Sequence, residues 1–219
     1  MKRILELGGV AAGVVLIAFG VAAIVLGAHG KSTVATSLKW EQITGSPDMT
    51  PTAIKGEAQK AGLNLSKITL PTCTVANQAV TNGTRARCFA QYMRIHALEA
   101  TGGFVYAQMG MYVAKPGTPK AQLTPDGATS NRDYALLDPK TKQPVSNGAR
   151  NVWVTETALT TALNTSYMAQ QLGNFGLVVG IALLLSGFGF TILALGGALR
   201  SGAWFFGRRS ATAPKPIAV

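Results

Sequence analysis

Two apolar runs, Ile4–Ala28 and Phe175–Leu199, bracket this 219-residue chain, and they limit its fold more than any motif between them. A helix of about 20 apolar residues crosses the hydrocarbon of a bilayer at roughly 1.5 Å per residue. Both runs exceed that length. The first also exceeds the apolar core of a secretory leader, about 7–15 residues. It therefore reads as an anchor, despite its charged start Met1-Lys2-Arg3 and the small residues near Ala28. The expected fold class is a membrane α-helical hairpin of two transmembrane helices, with a small α+β extracytoplasmic domain between them. The boundaries are a cytoplasmic N-terminus over residues 1–3, a first span over 4–28 and a middle domain over 29–171. The second span covers 172–199, its helix starting near Thr157, and a basic cytoplasmic tail covers 200–219.

Orientation follows from the basic residues that flank the spans. Lys2 and Arg3 precede the first; Arg200, Arg208, Arg209 and Lys215 follow the second. On the opposite side the nearest are Lys31 and Lys39, and Thr157–Asn174 holds none. The positive-inside rule predicts both termini in the cytoplasm of a plasma-membrane protein, with the middle domain outside. Trp204, Phe205 and Phe206 would then lie at the inner interface, and Trp40 and Tyr167 nearer the outer one.

The net charge of +11 invites a nucleic-acid reading, which its distribution opposes. Several charges are the flanks just named, and Lys55, Lys60, Lys67, Lys115, Lys120 and Lys142 are scattered singly, without the clustered face that nucleic acid requires. The two cysteines, Cys73 and Cys88, both lie in the middle domain. Outside the membrane they read as one disulfide, closing a loop worth on the order of 3 kcal/mol.

Along the middle domain, a short strand is expected near Ser37–Ile43. A helix then opens at Met49-Thr50-Pro51, with Thr50 as cap, Pro51 at the first position and Met49 stapled onto Ile54; Gly62 ends it. Leu63–Leu70 reads as extended. A second helix runs from Arg85 to Thr101 and stops at Gly102-Gly103. Its buried face is expected at Phe89, Met93, His96 and Ala100, widened by Cys88, Tyr92 and Ile95, with Arg85, Arg94 and Glu99 on the polar side. Alternation over Val105, Ala107, Met109, Met111 and Val113 predicts a half-buried strand, and Tyr134–Leu137 and Asn151–Val154 two shorter ones. Leu159, Ala162, Leu163, Tyr167 and Gln170 trace a helical stripe leading into the second span.

The segment His96-Ala97-Leu98-Glu99-Ala100-Thr101-Gly102-Gly103 with Tyr106-Ala107, and the Ser/Thr-rich entry Thr160–Tyr167, resemble a group of actinobacterial two-span membrane proteins. These often carry the propagated name aromatic ring-opening dioxygenase. The similarity covers the spans and residues 85–112; the two cysteines and the Lys115–Arg150 insertion depart from it. The resemblance implies a topology and no catalytic residues. Nor do the residues support the enzyme name. Non-haem iron oxygenases use two His and a carboxylate around an open site, and this chain has only His29 and His96.

No nucleophile elbow, phosphate loop or metal-spaced cluster occurs, so no catalytic, cofactor or metal residues are expected. Asp126, Asp133 and Asp138 lack the spacing of a calcium loop and read as solvated turn residues. The spans offer Ser186 and Thr191 as their main polar groups, with no charge at bilayer depth, which opposes a pump or carrier. Instead they hold small residues in register: Gly13, Gly20 and Gly27, with Gly9, in the first; Gly173, Gly180, Gly187 and Ala194, with Gly176, in the second. A period of seven keeps such residues on one side of a left-handed helix pair. The expected partners are the lipid bilayer and, through these seams, the other span, a second copy or another membrane protein. The functional expectation is a non-enzymatic accessory subunit of a plasma-membrane or cell-envelope assembly. The alternative is a receptor-like module holding a small or lipidic ligand near Tyr92, His96, Tyr106 and Tyr112.

Overall fold

The fold comes from a computed structural model, which describes residues 2–196, with side chains from Ile4 onward. The inner-interface aromatics 204–206 and the basic tail lie outside that range. Four α-helices carry the described chain: α1 Lys2–Trp40, α2 Pro51–Lys60, α3 Gly83–Ala100 and α4 Gly148–Leu195, with 3-10 turns at Tyr106–Gln108, Lys120–Gln122 and Arg132–Tyr134. Two helical stretches, Ile4–Trp40 and Gly148–Leu195, are long and apolar enough to cross a membrane. The chain divides into two compact units. One takes α1 up to Ala28 with α4 from Asn174; the other is His29–Gly173.

No β-sheet forms among the described residues, so the expected α+β domain is corrected to a helical one with irregular connections. Each predicted strand fails for a local reason. Ser37–Ile43 is absorbed into α1 as far as Trp40, because Val34 and Leu38 fall one turn apart and pack into the core. Asn151–Val154 lies in the first two turns of α4, because the turn-forming pair Asn147-Gly148 caps that helix. The Asn147 Oδ1 accepts from the Ala149 N–H at 3.1 Å. The α4 helix thus starts nine residues before the expected Thr157. Of the alternating residues Val105, Ala107, Met109, Met111 and Val113 only Met109 is buried, and Met111 and Val113 are exposed. That stretch with the following Ala114, and the predicted strand Tyr134–Leu137, make only single-residue bridges, Tyr112 with Thr129 and Ser146, Ala114 with Ala135 and Leu137 with Pro144, rather than a ladder.

Helix boundaries follow capping chemistry. Thr50 accepts from the Ala53 N–H at 3.3 Å, with Pro51 next to it. Met49 and Ile54 are buried in one cluster, and Gly62, at φ +72°, turns the chain out of α2. Asn82 caps α3 by accepting from the Arg85 N–H at 2.9 Å, and Gly102 and Gly103, both at positive φ, end it. The core of the second unit centres on Ile54, Val75, Val80, Ala86, Phe89, Tyr92 and Ile95, joined by Trp153 and Leu163 of α4. The buried face of α3 is rotated from the expected one: Met93 and His96 sit half-buried at its rim and Ala100 is exposed.

Candidate functional site

Within the first unit the small residues of the two long helices meet each other. Gly13, Gly20 and Gly27 on α1, and Gly180, Gly187 and Ala194 on α4, are all buried, and Gly9 and Gly176 are half-buried. The fit is reciprocal. A Cβ on Gly20 would stand 2.8 Å from the Gly180 carbonyl oxygen, and one on Gly180 2.7 Å from that of Gly20. Gly13 and Gly187 repeat the relation one heptad along, where Thr191 also closes on Gly13. Gly176 lies against Ala23 and Gly27 at ordinary contact distance. Gly173, also buried, belongs to the second unit. Such approach is open only to residues without side chains. Glu6, a half-buried ionisable residue of α1, was passed over by the reading of the spans. Its place two residues inside the apolar run is the signal that could have found it.

In the second unit, Cys73 and Cys88 form a disulfide with Cα atoms 6.1 Å apart, tying the irregular segment before α3 to its second turn. Tyr92 reinforces the tie one turn later, where its hydroxyl donates to the Cys73 carbonyl at 2.6 Å. Burial pushes the Tyr92 phenol above its ordinary pKa. The N-terminus of α3 is also held by α4. Gly83 donates its N–H to Gln170 Oε1 at 2.7 Å, and Gln170 Nε2 donates to Thr84 at 3.1 Å. A Cβ on Gly83 would come within 2.7 Å of the Ser166 carbonyl oxygen.

The four residues expected to share a ligand pocket are separated. Tyr92 is wholly buried and Tyr106 lies exposed under the Arg150 guanidinium at 4.2 Å. Tyr112 is occupied in backbone bridges. Only His96 reaches the groove between α3 and α4, a space of about 500 Å³ lined by Met93, Ala97, Ala100, Val152, Glu156 and Leu159 among others. A neighbouring depression of about 560 Å³ takes Tyr106 with Trp153 and Val154. The expected pocket is thus replaced by an apolar groove that sequence spacing did not reveal, because its walls come from helices about 50 residues apart.

Two polar clusters were also misjudged from sequence. Arg94, placed on the solvated face of α3, stacks over Trp153 at 4.0 Å and pairs with the buried Glu156 carboxylate at 3.1 Å. Asp126 is no solvated turn residue. It accepts from Thr124 at 2.6 Å, Asn147 at 2.7 Å, and the Ala128 and Gly110 N–H groups. Burial opposes its charge, but these hydrogen bonds outweigh burial and hold its pKa below the ordinary carboxylate value. Asp138, half-buried, keeps a lowered pKa through the Thr141 and Lys140 N–H groups.

His96, expected on the buried face of α3, stands at the rim between carboxylates. Its Nε2 is 3.2 Å from Asp48 Oδ2 and its Nδ1 is 3.2 Å from Glu99 Oε2. Glu57 of α2 completes a group in which one atom each of Asp48, Glu57 and His96 lies within 4.8 Å of the others. Compared with known proteins, the chain matches no family model, no curated protein and no solved structure.

Proposed function

We propose that the chain is a non-enzymatic accessory subunit of a plasma-membrane or cell-envelope assembly. It is anchored as a two-span hairpin, with both termini cytoplasmic and the second unit outside. The single observation behind this reading is the reciprocal burial of the glycine seam, Gly13 and Gly20 against Gly187 and Gly180. Lipid supplies no hydrophobic drive for two helices to pair, so close backbone packing has to do it. With the seam closed inside one chain, contacts to other proteins fall to the remaining apolar faces of the spans and to the second unit. The disulfide suits an oxidising exterior, and the basic flanks at residues 2–3 and 200–209 suit cytoplasmic ends.

Native mass measurement of the chain extracted in lipid nanodiscs tests this proposal. A stoichiometric larger particle containing a second protein supports it. A lone monomer carrying a small molecule overturns it in favour of a second reading, a ligand-binding module. The apolar groove between α3 and α4 favours that alternative, because pockets of this size with mostly apolar walls and a few polar groups suit small ligands.

A further inference from the structure

We infer that Asp48, Glu57 and His96 form a site for a divalent transition-metal cation of the zinc type, with Glu99 as the residue that orients the imidazole. The three ligands come from separate places: the turn before α2, the second turn of α2 and the penultimate turn of α3. Their spacing in sequence therefore follows no metal motif. One donor atom from each lies within 4.8 Å of the other two, and the Asp48–His96 pair is already at 3.2 Å. Donors around a zinc ion bound at about 2.1 Å stand roughly 3.4 Å apart, so small side-chain movements close the triad.

Two observations argue for a cation beyond the clustering itself. First, the Glu57 carboxylate, half-buried, makes no hydrogen bond or ion pair with any described residue, although it faces a second carboxylate. No Lys or Arg contact is present among the described residues to offset Asp48 and Glu57. Second, Glu99 sits behind His96 on Nδ1 at 3.2 Å, on the same helix three residues on. A proton held on Nδ1 by that carboxylate leaves the Nε2 lone pair directed at Asp48, an arrangement that repels unless a cation lies between them. Carboxylate–imidazole–metal relays orient histidine ligands in this way. Their O,O,N donor set suits zinc, and each ligand stays partly accessible from solvent. A bound ion would pin the turn before α2 and α2 itself to α3.

The rival arrangement is an imidazolium bridging Asp48 and Glu99, which accounts for His96 but sets one positive charge against three carboxylates, Glu57 among them. To separate the two, the full chain is stripped with EDTA in detergent micelles and titrated with Zn²⁺ by calorimetry, with Co²⁺ absorption as a coordination readout. One Zn²⁺ per chain, a melting temperature raised by Zn²⁺, and a visible Co²⁺ band are expected. Glu57→Gln and His96→Gln should abolish both the binding and the band. Glu99→Gln should weaken Zn²⁺ about tenfold, as loss of an orienting carboxylate does elsewhere. Glu57 has no protein partner to lose, so metal-free Glu57→Gln should melt and show helical circular dichroism like the metal-free parent. Absence of saturable Zn²⁺ binding to the parent, or equal binding to the Glu57→Gln and His96→Gln chains, overturns the site.

Discussion

Between Gly13 and Gly187 the two long helices meet where side chains are missing, whereas between His29 and Gly173 the chain is held by side chains that reach far along the sequence. In the first unit the contacts repeat every seven residues, with one carbonyl facing each of Gly13, Gly20, Gly180 and Gly187. In the second, nothing repeats. A disulfide, a tyrosine hydroxyl, a glutamine cap and an aspartate hub each join positions that no period relates. One unit is thus specified by regularity and the other by a handful of individual bonds, so the two should fail differently when altered.

The seam should break hardest. Gly20→Leu or Gly180→Leu places a branched side chain against a backbone oxygen that cannot move aside, and should cost about 3 kcal/mol or more. Thermal unfolding in detergent, with energy transfer between probes on the two helices, would read the loss. An unchanged transfer efficiency would show that the helices do not depend on this approach. Next is the disulfide. Replacing Cys73 and Cys88 together by Ala should remove about 3 kcal/mol from the second unit and leave the helix-pair signal intact. Loss of both signals together would erase the contrast between the units.

A smaller effect is expected at Asp126. Asp126→Ala strands its Asn147 and Thr124 donors and should cost about 2 kcal/mol in urea unfolding at neutral pH. Its folded pKa lies below the unfolded value of about 3.9, so the unfolded chain binds the proton first. The contribution is therefore complete above about pH 5, declines through the unfolded value and is lost as pH falls through the lower folded value. The variant should show a flatter acid limb than the parent; parallel limbs would contradict the hub. Gln170→Ala, which uncaps α3 at Gly83, should cost only about 1 kcal/mol and show as faster amide exchange in the first turn of α3.

The same contrast explains what could be read from sequence. The two long helices, the seam positions, the Thr50 cap and the glycine stops were legible, because each depends on residues within a turn or a fixed period. The absent sheet was not. Alternation at Val105–Val113 imitates a strand, but no partner strand offers a continuous ladder, and Met111 and Val113 remain exposed. Asn147-Gly148 imitates a turn until its side chain is seen to cap α4. Of the expected pocket, His96 and Tyr106 line two separate depressions and Tyr92 and Tyr112 neither, because pocket walls are fixed by helix packing rather than by chain spacing. The Asp48–Glu57–His96 group was invisible for the same reason.

The glycine seam also bears on how this interface can be mapped at all. Its information lies in atoms that are not there. An alanine scan works by deleting side chains, and at Leu184 or Ile24 it would trim groups beside the contact and leave the backbone approach untouched. A scan that adds atoms, glycine to alanine and then to leucine, would trace the contact one heptad at a time. Natural sequence change faces the same asymmetry. Along this line nearly every substitution adds bulk, so the pairing has almost no tolerated neighbours, while the outward faces of the same helices can exchange one apolar residue for another.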